Sequence, residues 1–249
     1  MNFFQLVLKR LIPVRLRIWI RICYAAFMGN LRTIASLSGT DKWGTHWYAQ
    51  HYERHFAPLR HKRLKVLEIG VGGGDNPGRG GASLRMWKHY FPRARICGID
   101  IYDKRALAEP GITIFQGDQS DPSFLQRVVD EIGGVDIVID DGSHRNEHVL
   151  ISFGTLFPLL SKNGLYCVED MQTSYWPDFG GRSDEFNDQR TSVGFFKQRV
   201  DGLNYEEVLR REKYEPTQYD RHIVGMHFYH NLLIIEKGEN KEGSNVLRK

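Results

Sequence analysis

The sequence predicts an α/β fold: a Rossmann-like, mostly parallel, doubly wound sheet with an antiparallel C-terminal strand and an N-terminal helical arm. Three observations carry this. Short apolar runs alternate with helix-length segments through the middle of the chain, the first run opens into a cluster of glycines, and later runs close on acidic residues. Strands alternating with helices read as βαβ units, which build parallel sheets and gather functional groups at the strands' carboxyl ends.

The elements follow in order. Residues 64–69 (LKVLEI) are a buried strand that ends in glycines, and 82–91 have helical spacing up to Pro92. Residues 95–100 form a second strand ending in Asp100, and 111–118 a third ending in Asp118. A helix from about Pro122 to Ile132 leads to a fourth strand, 135–141, a helix over 148–160 and a fifth strand, 164–170. Beyond Asp170 comes a long aromatic, Gly- and Asp-rich stretch of the kind that forms lids. A helix over 192–203 and a strand pair within 223–238, turning at His230 and Asn231, complete the body.

A chain of 249 residues, 41% apolar and 26% charged, fits one main domain. Residues 1–40 form a basic amphipathic helical arm, 41–240 the Rossmann-like body and 241–249 a flexible tail. The arm holds Lys9, Arg10, Arg15, Arg17, Arg21 and Arg32 without an acid; apart from these six, 28 basic residues face 30 acidic ones, a balance of −2. A near-neutral body argues against nucleic acid as a partner. The arm's apolar stretch is too often broken by arginine to span a bilayer or to act as a signal peptide. It is expected to pack, either on the body or on a second subunit in a homo-oligomer, with peripheral membrane contact as the alternative. The cysteines, Cys23, Cys97 and Cys167, lack metal or disulfide spacing, which fits a reducing cytoplasm.

Glu68-Ile69-Gly70-Val71-Gly72-Gly73-Gly74 directly follows the first strand, where glycines let backbone approach a ligand. A dinucleotide fingerprint starting at Gly70 would need glycine or alanine at 75; Asp75 stands there, and an acid repels pyrophosphate. The pattern acid-x-Gly-x-Gly-x-Gly resembles instead the first motif of class I methyltransferases, whose ligand, S-adenosylmethionine, carries a sulfonium and no phosphate. On that reading Asp100 takes the ribose hydroxyls, and Asp118 and Gln119 the adenine edge. Glu68 organises the loop that Gly70, Gly72 and Gly74 form, and Ser83 and Asp140 complete the candidate cofactor contacts.

The second set of groups follows strands four and five. With these strands adjacent, Asp141, Glu169 and Asp170 converge. Carboxylates packed together raise one another's pKa unless a cation relieves them. An all-oxygen set favours Mg2+, with Mn2+ or Ca2+ as alternatives. The sulfonium already supplies a good leaving group, so the task left is to make an alcohol nucleophilic for in-line methyl transfer. A metal and a general base do this, and His144 on the same loop as Asp141 is the candidate base; His148, in the following helix, reads as structural.

Together VLEIGVGGG, CGIDIYDK, QGDQSD, VIDDGSH, GLYCVEDMQTSYW and VGMHFYHN resemble the metal-dependent sugar O-methyltransferases of actinobacteria, over roughly residues 37 to 240. That family includes enzymes of natural-product pathways and relatives that modify polysaccharides and glycolipids. The resemblance implies magnesium on Asp141, Glu169 and Asp170, His144 as base, and chelation of two neighbouring sugar hydroxyls, one of which is methylated. Tyr175 and Trp176 are expected to line the acceptor pocket, since aromatic faces pack on sugar C–H surfaces. A catechol or phenol acceptor offers the same vicinal oxygens and is the runner-up. A noncatalytic membrane-associated scaffold leaves the acid cluster unexplained.

Overall fold

The structure, a computed structural model, describes residues 13–209 and 214–244. The first twelve residues of the arm and the last five of the tail lie outside the described residues. The chain divides into two compact units: Met1–Arg63 with Gly81–Ala94, and Leu64–Gly80 with Arg95–Lys249.

The first unit is helical, with α1 (Val14–Met28), α2 (Leu31–Ser38), α3 (Ala49–Phe56) and α4 (Ala82–Tyr90). It reaches past residue 40 and takes in the helix that follows the glycine loop. Helix α1 stops at Gly29, whose left-handed backbone returns its N–H to Ala25 and Ala26. Helix α2 starts on Asn30, whose side chain accepts from Thr33 N. Tyr52, Phe56, Trp87 and Phe91 form an aromatic core with neighbouring centroids 5.0 to 6.3 Å apart. Only Ile22 and Ala25 of α1 are buried, while Val14, Trp19, Tyr24 and Phe27 are exposed. No helix among the described residues is long and apolar enough to cross a membrane.

The second unit is a seven-stranded sheet in the order β3-β2-β1-β4-β5-β7-β6. The strands are β1 (Lys65–Ile69), β2 (Arg95–Asp100), β3 (Ile112–Gln116), β4 (Val135–Asp140), β5 (Leu160–Val168), β6 (Ile223–Tyr229) and β7 (Leu232–Lys237). β1 to β5 pair in parallel, and β7 runs antiparallel to both β5 and β6. The helices of this unit are α5 (Pro122–Ile132), α6 (Asn146–Leu159), α7 (Ser192–Leu203) and a short α8 (Gln218–His222). Asp121 caps α5 ahead of Pro122, and left-handed Gly133 ends it. Phe153 of α6 touches Phe157, Tyr166, Phe196 and Tyr219, joining α6, β5, α7 and α8 in one core.

Several boundaries differ from the sequence expectation. Helix α6 starts at Asn146, two residues early, and keeps Pro158 in its last turn. Strand β5 begins at Leu160 instead of 164; Asn163 takes a left-handed turn, φ 65°, within it. Asp118 lies two residues beyond β3, and Asp141 and Glu169 one beyond β4 and β5. The sheet order reverses between β1 and β4, the place where open α/β sheets form a crevice.

Candidate functional site

The loops after β1 and β4 meet at this reversal. Asp141 N donates to Ile69 O at 3.0 Å. Gly70, with φ 93°, lies so close that a Cβ there would collide with the Asp141 carbonyl oxygen. Gly72 and Gly74 also have positive φ, 79° and 58°. Asp100, at the end of β2, accepts from Val71 N on one oxygen and Tyr102 N on the other, each at 2.9 Å. It thereby holds the loop while keeping lone pairs for a ligand hydroxyl. Glu68 is fully buried on β1. Ser83, second residue of α4, is buried in the helical unit.

Sequence reading missed a further holder of this loop. Lys104 is fully buried, and its Nζ donates to Asn76 O at 2.5 Å and Arg79 O at 3.0 Å. A buried ammonium needs such acceptors. Nothing local in the sequence separates it from an exposed lysine.

Asp118 accepts from both N and Oγ of Ser120 at 2.8 Å; that N–H first, then the hydroxyl, holds its carboxyl below the usual range. Gln119 is turned inward: its Nε2 donates to Asp140 Oδ1 and Ser152 Oγ, and its Oε1 accepts from Ser143 N at 2.6 Å. The carboxamide is thus spent on the end of β4, the loop after it and Ser152 of α6, and faces inward. Gly142 leaves room for it, since a Cβ there would strike Gln119 Oε1. Asp140 is 2% exposed, and burial pushes its carboxyl up to about 7 against the hydrogen bond from Gln119. Both residues therefore brace the site from behind.

Asp141, His144 and Asp170 offer ligand atoms that lie within 4.8 Å of one another. His144 Nε2 is 3.6 Å from Asp170 Oδ2. Both residues have left-handed backbones, φ 56° and 54°, a conformation that costs non-glycine residues energy and clusters at functional sites. Glu169, expected with them, stands outside this trio; it is 3% exposed, and its N donates to Asp140 O. His148 Nδ1 lies 2.9 Å from Ser143 Oγ, in a supporting position. Tyr175 and Trp176 end a short 3-10 turn (Met171–Tyr175) directly after Asp170 and are 38% and 49% exposed. Two carboxylates and an imidazole so grouped suit a divalent cation, or a proton relay beside one.

The sheet order with a reversed β7, and loops built this way, define a class I S-adenosylmethionine-dependent methyltransferase fold. The crystal structure of the mycinamicin-pathway methyltransferase MycE, in complex with Mg and SAH, matches with a TM-score of 0.83 and 48% identity, covering 86% of this chain and 56% of that one. Demethylmacrocin O-methyltransferase of Streptomyces fradiae is 50% identical over 215 residues, 86% of this chain and 54% of that protein. The 8-demethyl-8-alpha-L-rhamnosyl tetracenomycin-C 2'-O-methyltransferase of Streptomyces olivaceus is 50% identical over 219 residues, 88% of this chain and 57% of that protein. No protein-family model matches. The chain belongs to the actinobacterial sugar O-methyltransferases that these relatives represent. It spans a little over half the length of the relatives it matches.

Proposed function

We propose that the chain transfers a methyl group from S-adenosylmethionine to a sugar hydroxyl of a glycosylated natural product, glycolipid or polysaccharide precursor, with a divalent metal, Mg2+ first. The observation that carries this reading is the Asp141, His144 and Asp170 cluster at the carboxyl ends of β4 and β5. The named relatives, which include a mycinamicin VI 2''-O-methyltransferase, support the acceptor class.

Asp141 and Asp170 would hold the metal, with Glu169 as the third carboxylate expected on the same loop pair. A bound divalent cation makes a neighbouring hydroxyl more acidic. His144 Nε2 receives the proton of that hydroxyl. Asp170 Oδ2, 3.6 Å away, then faces the imidazolium that results and offsets its charge. Asp100 and the glycine loop position the donor, and Tyr175 and Trp176 the acceptor. The donor is an intracellular metabolite, which puts the reaction in the cytoplasm.

The test is transfer of labelled methyl from S-adenosylmethionine to a panel of glycosides, oligosaccharides and catechols. Label in glycosides supports the reading. Label only in catechols transfers the same machinery to the runner-up acceptor.

The exposed apolar residues of α1 support packing of the arm on a second copy of the chain. Light scattering of the protein and its Trp19→Glu variant tests this: an oligomer that the charge breaks apart agrees, and a monomer in both rejects it. Binding of the wild type to anionic vesicles, lost in the variant, favours the membrane instead.

A further inference from the structure

Asn146, the first residue of α6, follows the loop that carries Asp141 and His144 and is 1% exposed. Its carboxamide is fully committed. Nδ2 donates to Thr173 O at 3.1 Å and Phe179 O at 3.0 Å. Oδ1 accepts from Ser192 N and Ser192 Oγ, both at 2.7 Å, and from Ser174 Oγ at 3.2 Å. The orientation is dictated by the partners: two carbonyls take only donors, and a backbone N–H gives only to an acceptor.

One side chain therefore ties three segments: the loop of the base, the turn that presents Tyr175 and Trp176, and the start of α7. Ser174 repeats the tie, since its Oγ accepts from Val193 N at 3.0 Å. Gly181 closes the turn: its N donates to Trp176 O, and a Cβ there would collide with Thr173 O. Between these anchors Arg182 and Arg190 bind Asp188 within the segment, and Lys197 Nζ of α7 adds one outside bond, donating to Phe186 O at 2.5 Å. None of Asn146's partners belongs to the glycine loop or to the loop after β2.

We infer that Asn146 is a positioning residue for the acceptor: it fixes the Tyr175 and Trp176 turn against His144 and leaves the methyl-donor side untouched. This rests on the methyl-transfer reading above for its kinetic consequence, and on geometry alone for the anchoring. Aspartate at this position keeps the size and the acceptor but sets an oxygen against two carbonyls, so Asn146→Asp is the sharp variant. Ser174→Ala is the mild one, removing one bond to Asn146 and one to Val193.

The experiment is hydrogen exchange on the full chain together with separate KM values for donor and acceptor. Exchange over 171–192 is expected to speed up by about tenfold or more in Asn146→Asp, and less in Ser174→Ala, with 64–80 unchanged. The acceptor KM rises by a similar factor while the donor KM holds. Faster exchange throughout the chain in both variants, or donor and acceptor KM moving together, overturns the inference. If the wild type methylates nothing, the functional reading fails, and exchange still decides whether Asn146 anchors this segment.

Discussion

His144 Nε2 stands 3.6 Å from Asp170 Oδ2, and both residues are held with positive φ. Asn and Asp visit that backbone with the help of local hydrogen bonds from their short side chains. His144→Asn is therefore expected to leave the melting temperature equal or higher while methyl transfer falls by about 10² to 10⁴. Asp170→Asn keeps the conformation and removes one of two close carboxylates. Without metal it is expected to raise Tm by a few degrees, and saturating Mg2+ then stabilises the wild type but not the variant. Thermal melts at pH 8 with and without Mg2+ check both; a destabilised His144→Asn would show that the imidazole holds the fold together.

Gly70 lets two loops touch that a side chain would push apart. Its φ of 93° and its contact with the Asp141 carbonyl both exclude a Cβ. Gly70→Ala should cost about 3 kcal/mol, from backbone strain plus overpacking, read from urea unfolding. Gly74→Ala has open space around its Cβ and meets only the φ penalty, so it should cost clearly less. Equal costs would mean that the approach of the two loops is not what Gly70 serves.

Much of this architecture is legible in the sequence because each strand ends in a residue with chemistry of its own. Asp100, Asp118, Asp141 and Asp170 stand near the ends of successive parallel strands as the alternation predicts. Gln119 and Asp140 are less legible. Their motif position points to a ligand, but their burial and mutual hydrogen bond point inward, and sequence carries no signal for which way a side chain turns. Asn146 and Lys104 were not legible at all, since their partners lie in loops distant along the chain. The compact helical unit escaped as well, because α4 follows a sheet strand in sequence yet clusters with the N-terminal helices.

Lys104 offers a test of the cofactor loop apart from catalysis. Methionine at 104 fills a similar volume but leaves the Asn76 and Arg79 carbonyls without their donor. Affinity for S-adenosylhomocysteine, measured by calorimetry, is expected to fall about tenfold or more in Lys104→Met. Undiminished binding would show that the loop holds its shape without the lysine.

Asp188, held between Arg182 and Arg190, gives the segment after β5 a test by pH. The Arg190 side chain first, then the Arg190 backbone N–H, holds its carboxyl well below the usual range, with Arg182 adding to the effect. A depressed folded value makes its contribution to stability complete above the unfolded pKa of about 3.9, and lost as pH falls through the folded value. The gap in urea midpoint between wild type and Asp188→Asn should therefore be widest at neutral pH and narrow below about pH 4. A gap that stays constant down the acid range would contradict this.

Whether Asp141, His144 and Asp170 form a metal-dependent methyl-transfer site is decided by the rate of methyl transfer to the best glycoside acceptor as Mg2+ is titrated into EDTA-treated enzyme. Activity is expected to be lost in EDTA, restored saturably by Mg2+, and absent from Asp141→Asn at every Mg2+ concentration despite retained binding of S-adenosylhomocysteine. Full activity in EDTA, or an Asp141→Asn enzyme that responds to Mg2+ like the wild type, would contradict it.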